Sequence, residues 1–114
     1  MTDSIVNVLS QALNGLAERQ RVIANNVANV ETPGYLAEKV DFESSLQQAM
    51  ATGNPDQASI STTTTTDPTN QNGNNVNLDD QVVGLMQTNL SYQTMIDGIN
   101  AKFRLVREAI GNGN

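Results

Sequence analysis

The side chains that most often perform catalysis are either missing from this sequence or not grouped in it. The chain has 114 residues with no cysteine and no histidine, which excludes thiolate chemistry, disulfides, the usual zinc ligands and the commonest general base. The serines therefore have no histidine to activate them. The carboxylates, which follow no recognised catalytic or metal-binding spacing, include Glu18, Glu31, Glu38, Glu43, Asp79 and Asp80. We expect no enzymatic activity, no cofactor and no metal.

The stretch around Gly73 is rich in Asn and Asp and invites comparison with a calcium loop, which has a glycine at its sixth position. That alignment places Pro68 at the first position, where a carboxylate belongs. We therefore reject a calcium site, and the pair Asn72-Gly73 predicts a turn instead.

Composition and charge exclude further classes of function. Only 38% of the residues are apolar and 4% aromatic, so one chain can build only a thin core and should need partners. The net charge of -6 opposes binding to nucleic acid and to anionic lipid. The sequence contains no block that resembles a cleaved secretory signal, and no run approaches the roughly 20 apolar residues of a membrane helix. We expect no nucleic acid partner and no direct membrane insertion.

Amide side chains cluster near the end of the first predicted helix. Asn25, Asn26 and Asn29 lie within five successive positions, although asparagine lowers helix propensity relative to alanine. Because a carboxamide both donates and accepts hydrogen bonds, this cluster indicates that the side chains bind specific partners. The alternative is a polar last turn whose asparagines are solvated or bond to the last carbonyl groups of the helix.

Two long helices must position these groups. Apolar residues recur in alternating steps of four and three from Ile5 to Val30, with polar interruptions at Arg19 and Asn26, and this spacing predicts a helix from about Ser4 to about Asn29. The same spacing runs from Leu78 to Ile110 with Asn89 as its only polar interruption, and it predicts a second long helix. The predicted seam between the two helices consists of Leu9, Leu16, Ile23, Val82, Leu85, Tyr92, Ile96, Ile99, Phe103 and Val106.

The segment between the long helices changes character twice. A turn is predicted from Thr32 to Tyr35, and Asp41 can cap a short helix that ends near Met50. Residues 51–77 contain five successive threonines and several asparagines but few apolar side chains, so they cannot form a core. Their β-branched residues permit an extended segment or a short hairpin, and a flexible surface loop is our prediction.

These elements predict an all-α fold in which the long helices pack as an antiparallel, coiled-coil-like hairpin. The single predicted domain comprises an N-terminal helix at 1–30, a turn and short helix at 31–50, a polar loop at 51–77 and a C-terminal helix at 78–114. Such a hairpin leaves apolar flanks that neighbouring subunits can bury. The interface candidates are Val6, Leu13, Val27, Val83, Met86 and Leu90. The alternative is an isolated hairpin completed by the short helix.

The residues from Ala24 to Tyr35 resemble the signature that closes the N-terminal helix in the bacterial flagellar rod and hook family of axial proteins. The matching positions are Ala24, Asn25, Asn26, Ala28, Asn29, Thr32, Pro33, Gly34 and Tyr35. The runs from Val40 to Glu43, from Asn72 to Asp79 and from Ser91 to Gln93 are similar to the proximal B type of rod protein, as is the short length of the chain.

This resemblance implies a structural subunit of the proximal rod in the flagellar basal body, which assembles helically and transmits torque from the motor ring. It also implies synthesis in the cytoplasm, export through the flagellar type III apparatus without signal cleavage, and a final place in the periplasmic rod. The implied partners are copies of the chain, the other proximal rod proteins and the rod-to-MS-ring adaptor. The alternatives are another axial-family rod subunit, or a helical adaptor or secretion chaperone that holds one client on an apolar flank.

Overall fold

Helices account for most of the structure, a computed structural model that describes residues 2–112. The elements in chain order are α1 (Thr2–Ala28), β1 (Glu38–Asp41), α2 (Glu43–Ala51), a 3-10 turn (Pro55–Gln57), β2 (Ser61–Thr64) and α3 (Leu78–Asn112). The molecule measures 69 × 26 × 14 Å, and the 35-residue α3 accounts for about 52 Å of the longest dimension. The prediction of a long helix towards each end of the chain is confirmed.

Helices α1 and α3 lie side by side, and their contacts run in opposite directions along the two helices. Near the start of α1, Leu9 faces Gly98, where a Cβ atom would lie 4.0 Å from the Leu9 Cδ1 atom. Further along α1, the Gln20 amide donates a hydrogen bond to Asn89 Oδ1 at 2.6 Å. The only polar residue of the predicted α3 seam therefore has a partner on α1.

The buried core lies between α1 and the segment from β1 to α2, rather than between the long helices alone. Its buried side chains are Ala12, Leu16, Val22, Val40, Phe42 and Leu46. Tyr92 and Met95 of α3 pack against this cluster while remaining partly exposed. The segment between the long helices thus supplies three of the six core side chains, a contribution that a hairpin of two helices lacks.

The all-α prediction is wrong in one respect, because two short strands form a small antiparallel sheet. Glu38 of β1 pairs with Thr64 of β2, and Asp41 pairs with Ser61. The run of β-branched threonines favours an extended backbone, which was the alternative to a flexible loop. Its partner β1 was not predicted, since this four-residue strand buries only one side chain, Val40.

The short middle helix is present, but it does not begin as predicted. Asp41 does not cap α2, because it is the last residue of β1 and its backbone pairs with Ser61. Phe42 occupies the N-cap position without a side-chain cap hydrogen bond. Glu43 follows in the first turn, where the helix dipole favours a negative charge.

Phe42 connects the middle segment to α1 by packing against Gly15. A Cβ atom at Gly15 would overlap the Phe42 ring, and one turn later the Arg19 guanidinium lies 4.9 Å from the ring centroid. The Arg19 guanidinium also donates to both carboxylate oxygens of Glu43, at 2.9 and 2.7 Å, and to Val40 O at 2.7 Å. The polar interruption of the α1 seam at Arg19 is therefore a tertiary contact that joins α1 to β1 and α2.

The substitution Gly15→Ala should destabilise the fold, although alanine is the better helix former by about 1 kcal/mol. The added methyl group would displace the Phe42 ring, and overpacking of this kind costs about 1–3 kcal/mol. Thermal unfolding followed by circular dichroism measures the effect. Gly98→Ala is the matched control, since its methyl group would meet Leu9 only at 4.0 Å and should leave the Tm unchanged or raise it. Equal Tm changes in both variants would contradict the packing described for Phe42.

Hydrogen bonds from Arg19 lower the pKa of Glu43, with burial acting in the opposite direction. A carboxylate of this kind stabilises the fold above its ordinary pKa near 4.5, and the stabilisation is lost as the pH falls through the lower folded-state pKa. Because the Glu43 side chain is 60% exposed, we expect a contribution below about 1 kcal/mol. The Tm of the wild type should exceed that of Glu43→Gln at neutral pH and converge with it in acid below 4.5. A Tm difference that persists in acid would exclude the ion pair as its cause.

Candidate assembly surface

Asn26 is buried in the last turn of α1, with 1% of its surface exposed, and its carboxamide uses all of its hydrogen-bonding groups. Nδ2 donates to Glu38 O at 2.8 Å and to Gln81 Oε1 at 3.0 Å. Oδ1 accepts from the Tyr35 hydroxyl at 3.0 Å and from Glu38 N at 2.9 Å. One side chain therefore joins the end of α1 to the start of β1 and to the beginning of α3.

The turn after α1 is closed by hydrogen bonds among the other side chains of the motif. Asn29 Nδ2 donates to Asn25 O at 2.8 Å, and the Thr32 hydroxyl donates to Asn29 Oδ1 at 3.0 Å. Asn25 Nδ2 donates to the Tyr35 hydroxyl at 2.9 Å. Asn29 thus bonds to a carbonyl of its own helix, as the local alternative predicted, whereas Asn26 binds tertiary partners.

A second asparagine-containing segment from far along the chain packs onto this turn. Asn74 is completely buried, and its Nδ2 atom donates to Asn29 O and Thr32 O at 2.8 Å each. Its Oδ1 atom accepts from Val76 N at 2.8 Å. A side chain 45 residues away from Asn29 therefore binds two carbonyl groups of the turn that follows α1.

Two glycines allow the segments to approach each other. Gly34 and Gly73 have φ angles of 75° and 83°, in the left-handed region that side chains disfavour. A Cβ atom on Gly73 would lie only 3.3 Å from the Gly34 Cα atom. At this crossing Gly34 N donates to Asn72 O at 2.8 Å. Glycine is thus required at both positions for conformation, and at Gly73 also for space.

Asn75 extends the network to the sheet. Its Oδ1 atom accepts from Ala37 N at 2.6 Å, and its Nδ2 atom donates to Thr65 Oγ1 at 3.0 Å and to Asp67 O at 3.2 Å. These bonds hold the chain after β2 beside the chain before β1. We call the connected side chains of Asn26, Tyr35, Asn74 and Asn75, with their partners, the asparagine junction.

Tyr35 takes part in the asparagine junction as a protonated phenol. Burial raises the pKa of Tyr35, and the negative charge of Glu38 raises it further, while the hydrogen bond from Asn25 acts in the opposite direction. The hydroxyl therefore keeps its proton at neutral pH and can donate to Asn26 Oδ1.

The remaining motif residues Ala24, Ala28 and Pro33 are exposed.

Helix α3 carries apolar side chains that the other described residues leave exposed. Val83, Met86 and Leu90 are 53, 66 and 70% exposed, and their spacing places them on one face of the helix. We call these three residues the α3 ridge. The α1 candidates differ, because Val27 is exposed while Val6 and Leu13 are half-buried. Both flanks thus contain exposed apolar surface, and most of it is on α3.

The predicted seam is closed over only part of its length. Leu16 and Ile23 are buried. The half-buried members are Leu9, Leu85, Tyr92, Ile96, Ile99 and Val106. Val82 and Phe103 are 47 and 52% exposed, so they lie outside the closed part of the seam within the single chain.

Neither a metal-binding cluster nor a membrane-spanning helix is found among the described residues. Within residues 2–112, no three Asp or Glu side chains come together as a metal site would require. No helix in the same range is both long and apolar enough to cross a bilayer. What the geometry offers is a rigid junction that fixes α1 relative to α3, and an exposed apolar face beside it.

Long helices that leave apolar faces uncovered are typical of a structural subunit that buries those faces by assembling with others. Comparison with known proteins agrees. The sequence pattern of the family described as Flagella basal body rod protein matches residues 7–35. The flagellar basal body rod protein FlgB of Bacillus subtilis (strain 168) is 33% identical over 92% of this chain and 92% of its own length. FlgB of Escherichia coli (strain K12) is 28% identical over 98% of this chain and 96% of its own length.

The chain belongs to the FlgB family of flagellar basal body rod proteins. FlgB of Borreliella burgdorferi (strain ATCC 35210 / DSM 4680 / CIP 102532 / B31) is a further relative, 30% identical over 73% of this chain and 78% of its own length. As a member of this family the chain is a structural component of the basal body rod and not an enzyme, and it assembles with other flagellar basal-body proteins.

The asparagine junction predicts unequal effects for two neighbouring asparagines. Asn26→Ala should lower the free energy of unfolding by about 2–4 kcal/mol, because each buried polar group left unpaired costs about 1–3 kcal/mol. Asn25→Ala is the matched control, since Asn25 is exposed and donates one side-chain bond, and it should cost less than about 1.5 kcal/mol. Urea denaturation measures both. Equal decreases in the free energy of unfolding would mean that the tertiary hydrogen bonds of Asn26 add no stability beyond that of a solvated polar helix end.

Proposed function

We propose that the chain is a subunit of the proximal part of the rod, in the periplasm, where it transmits torque from the motor ring to the rest of the rod. The observation that carries this proposal is the α3 ridge, because three large apolar side chains on one helix face remain in water. Burying such a side chain contributes about 1.5–3 kcal/mol, so the ridge is a substantial source of association free energy.

Helical assembly follows from where the uncovered residues lie. The ridge is on α3, and a partly exposed flank with Val27 lies on α1. A contact between two different surfaces of identical chains continues from copy to copy, and it forms an open helix when the rotation does not close. We propose that copies of the chain, other proximal rod proteins and the rod-to-MS-ring adaptor bury these flanks.

The long helices support the transmission of torque if they act as one stiff unit. We propose that α1 and α3 form an antiparallel, coiled-coil-like hairpin in the rod, with Val82 and Phe103 covered by neighbours. Support comes from the opposite direction of the Leu9–Gly98 and Gln20–Asn89 contacts. The asparagine junction would resist rotation of one helix relative to the other, because Asn26 bonds to both β1 and α3.

We further propose that the chain is made in the cytoplasm and exported unfolded through the flagellar type III apparatus, without signal cleavage. The thin core supports this route, since the core cluster contains six buried side chains and only one of them is aromatic. A small core of this kind gives a low free energy of unfolding, so little work is needed to open the chain for transport.

A helical adaptor or secretion chaperone, the alternative considered from the sequence, would differ from a rod subunit in its behaviour when pure. A chaperone would be a folded monomer or dimer with ordered helix ends. A rod subunit should gain helix when neighbours order its ends. Circular dichroism of the purified chain, alone and mixed with another proximal rod protein, separates the two functions. A helix content that does not change on mixing would contradict the rod proposal.

The α3 ridge should matter more for assembly than for folding. Met86→Ala and Leu90→Ala should each weaken assembly by at least about tenfold, because truncation removes apolar area worth more than about 1.4 kcal/mol at a buried interface. Circular dichroism should show nearly unchanged helix content, since both side chains are largely exposed in the single chain. Incorporation into purified basal bodies and swimming motility measure assembly.

The control for these ridge variants is Asn100→Ala, an exposed polar position on the same helix about 15 Å beyond Leu90. It should leave incorporation, motility and helix content unchanged. If Met86→Ala and Leu90→Ala lose helix content and incorporation to the same extent, the ridge is part of the fold and not an interface.

A further inference from the structure

A second uncovered apolar surface lies near the start of α1. It is a groove of about 380 Å³ between the first turns of α1 and the end of α2, lined by Ile5, Val8, Leu9, Met50, Gly53 and Pro55. Ile5 and Met50 at its edges are 46 and 49% exposed. We call it the α1–α2 groove. Except for a glycine, its lining side chains are all apolar, so the groove offers the complement that an apolar helix face requires.

The α3 ridge and the α1–α2 groove lie at different heights along the molecule. The ridge is beside the last part of α1, because a Cβ atom on Gly84 would lie 3.5 Å from Ile23 Cδ1. The groove contains Leu9, which faces Gly98 near the other end of α3. The 14 residue steps from Leu9 to Ile23 correspond to about 21 Å of helix. One chain therefore carries a protruding and a recessed apolar surface, displaced along its axis.

The two halves of α3 also differ in charge. Residues 78–97, which include the ridge, contain three aspartates and no lysine or arginine. Residues 98–112 contain Lys102, Arg104 and Arg107 against one carboxylate, Glu108. The contact of Leu9 with Gly98 places this basic half at the groove end of the molecule. A ridge that approaches the groove of another copy therefore brings an acidic helix segment towards a basic one.

We propose that the α3 ridge of one copy packs into the α1–α2 groove of a second copy, so that identical subunits join head to tail with an axial displacement of about 21 Å. This inference rests on the proposed rod function, since it specifies how copies of the chain contact each other within the rod. The contact is heterologous, because each copy offers its ridge to one neighbour and its groove to another. A second copy is the occupant because the chain itself supplies both apolar surfaces and both charge signs.

Disulfide cross-linking tests the contact directly, because the chain contains no cysteine of its own. Cells that lack the native chain would produce two variants together, Met50→Cys at the edge of the groove and Gln87→Cys, an exposed polar position beside Met86 at the side of the ridge. Their basal bodies would be purified and treated with a mild oxidant. The control pair replaces Met50→Cys by Gln48→Cys, an exposed position that lines a different surface of α2. Thiols held side by side should give at least about tenfold more cross-linked dimer than the control pair, because proximity raises the effective concentration of the partner thiol.

Two results would overturn the inference, and they differ in what they say about the rod function. If both variants are present in the basal bodies of motile cells and the Met50→Cys and Gln87→Cys pair gives no more dimer than the control pair, the groove is not the site of the ridge, although the rod function stands. If the wild-type chain is absent from purified basal bodies, the rod function fails, and the head-to-tail contact fails with it.

Discussion

A carboxamide that is removed from water must find a partner for each of its donors and acceptors, and this requirement organises the end of α1. Asn26 meets it with groups from β1, α3 and the turn between α1 and β1. Asn74 meets it with carbonyl groups of the same turn. Because these partners come from distant parts of the sequence, the two amides fix the helix end, the turn and the second loop relative to one another. The direction in which α3 leaves the junction, and hence the orientation of its exposed face, depends on these bonds.

The fold provides partners for its buried polar groups but leaves several large apolar side chains exposed. Among the residues that the structure describes, every buried side-chain polar atom has a hydrogen-bond partner. Large apolar side chains such as Met86, Leu90 and Ile110 nevertheless remain mostly in water. Hydrogen bonds determine geometry but add only about 0.5–1.5 kcal/mol each to stability, whereas apolar burial supplies most of the free energy. Hydrogen bonds therefore determine the shape of the single chain, while part of its apolar surface remains exposed.

The sequence predicts the long elements well, because their signal repeats over many residues. The pattern from Leu78 to Ile110 lies within the observed α3, Leu78–Asn112. Strand β1 has only four residues and one buried side chain, so it carries no period to detect. In the sequence, Gly15 is only a residue that weakens a helix, and its packing against Phe42 is visible only in the structure. The role of Asn74 could not be predicted either, because the sequence does not show whether an amide in a polar loop faces water or a turn 45 residues away.

A thin core combined with a rigid junction suits a chain that must be unfolded at one stage and stiff at another. Stability that comes from contacts with neighbours follows mass action, so it is absent in a dilute single chain and large where many copies meet. The core cluster contains only one aromatic side chain, Phe42, which keeps the free energy of unfolding of the isolated chain low. The asparagine junction sets the angle between the helices once the chain has folded, because Asn26 bonds to both β1 and α3. Under the proposed rod function, stiffness then appears only at the place of assembly, where burial of the α3 ridge completes the apolar core.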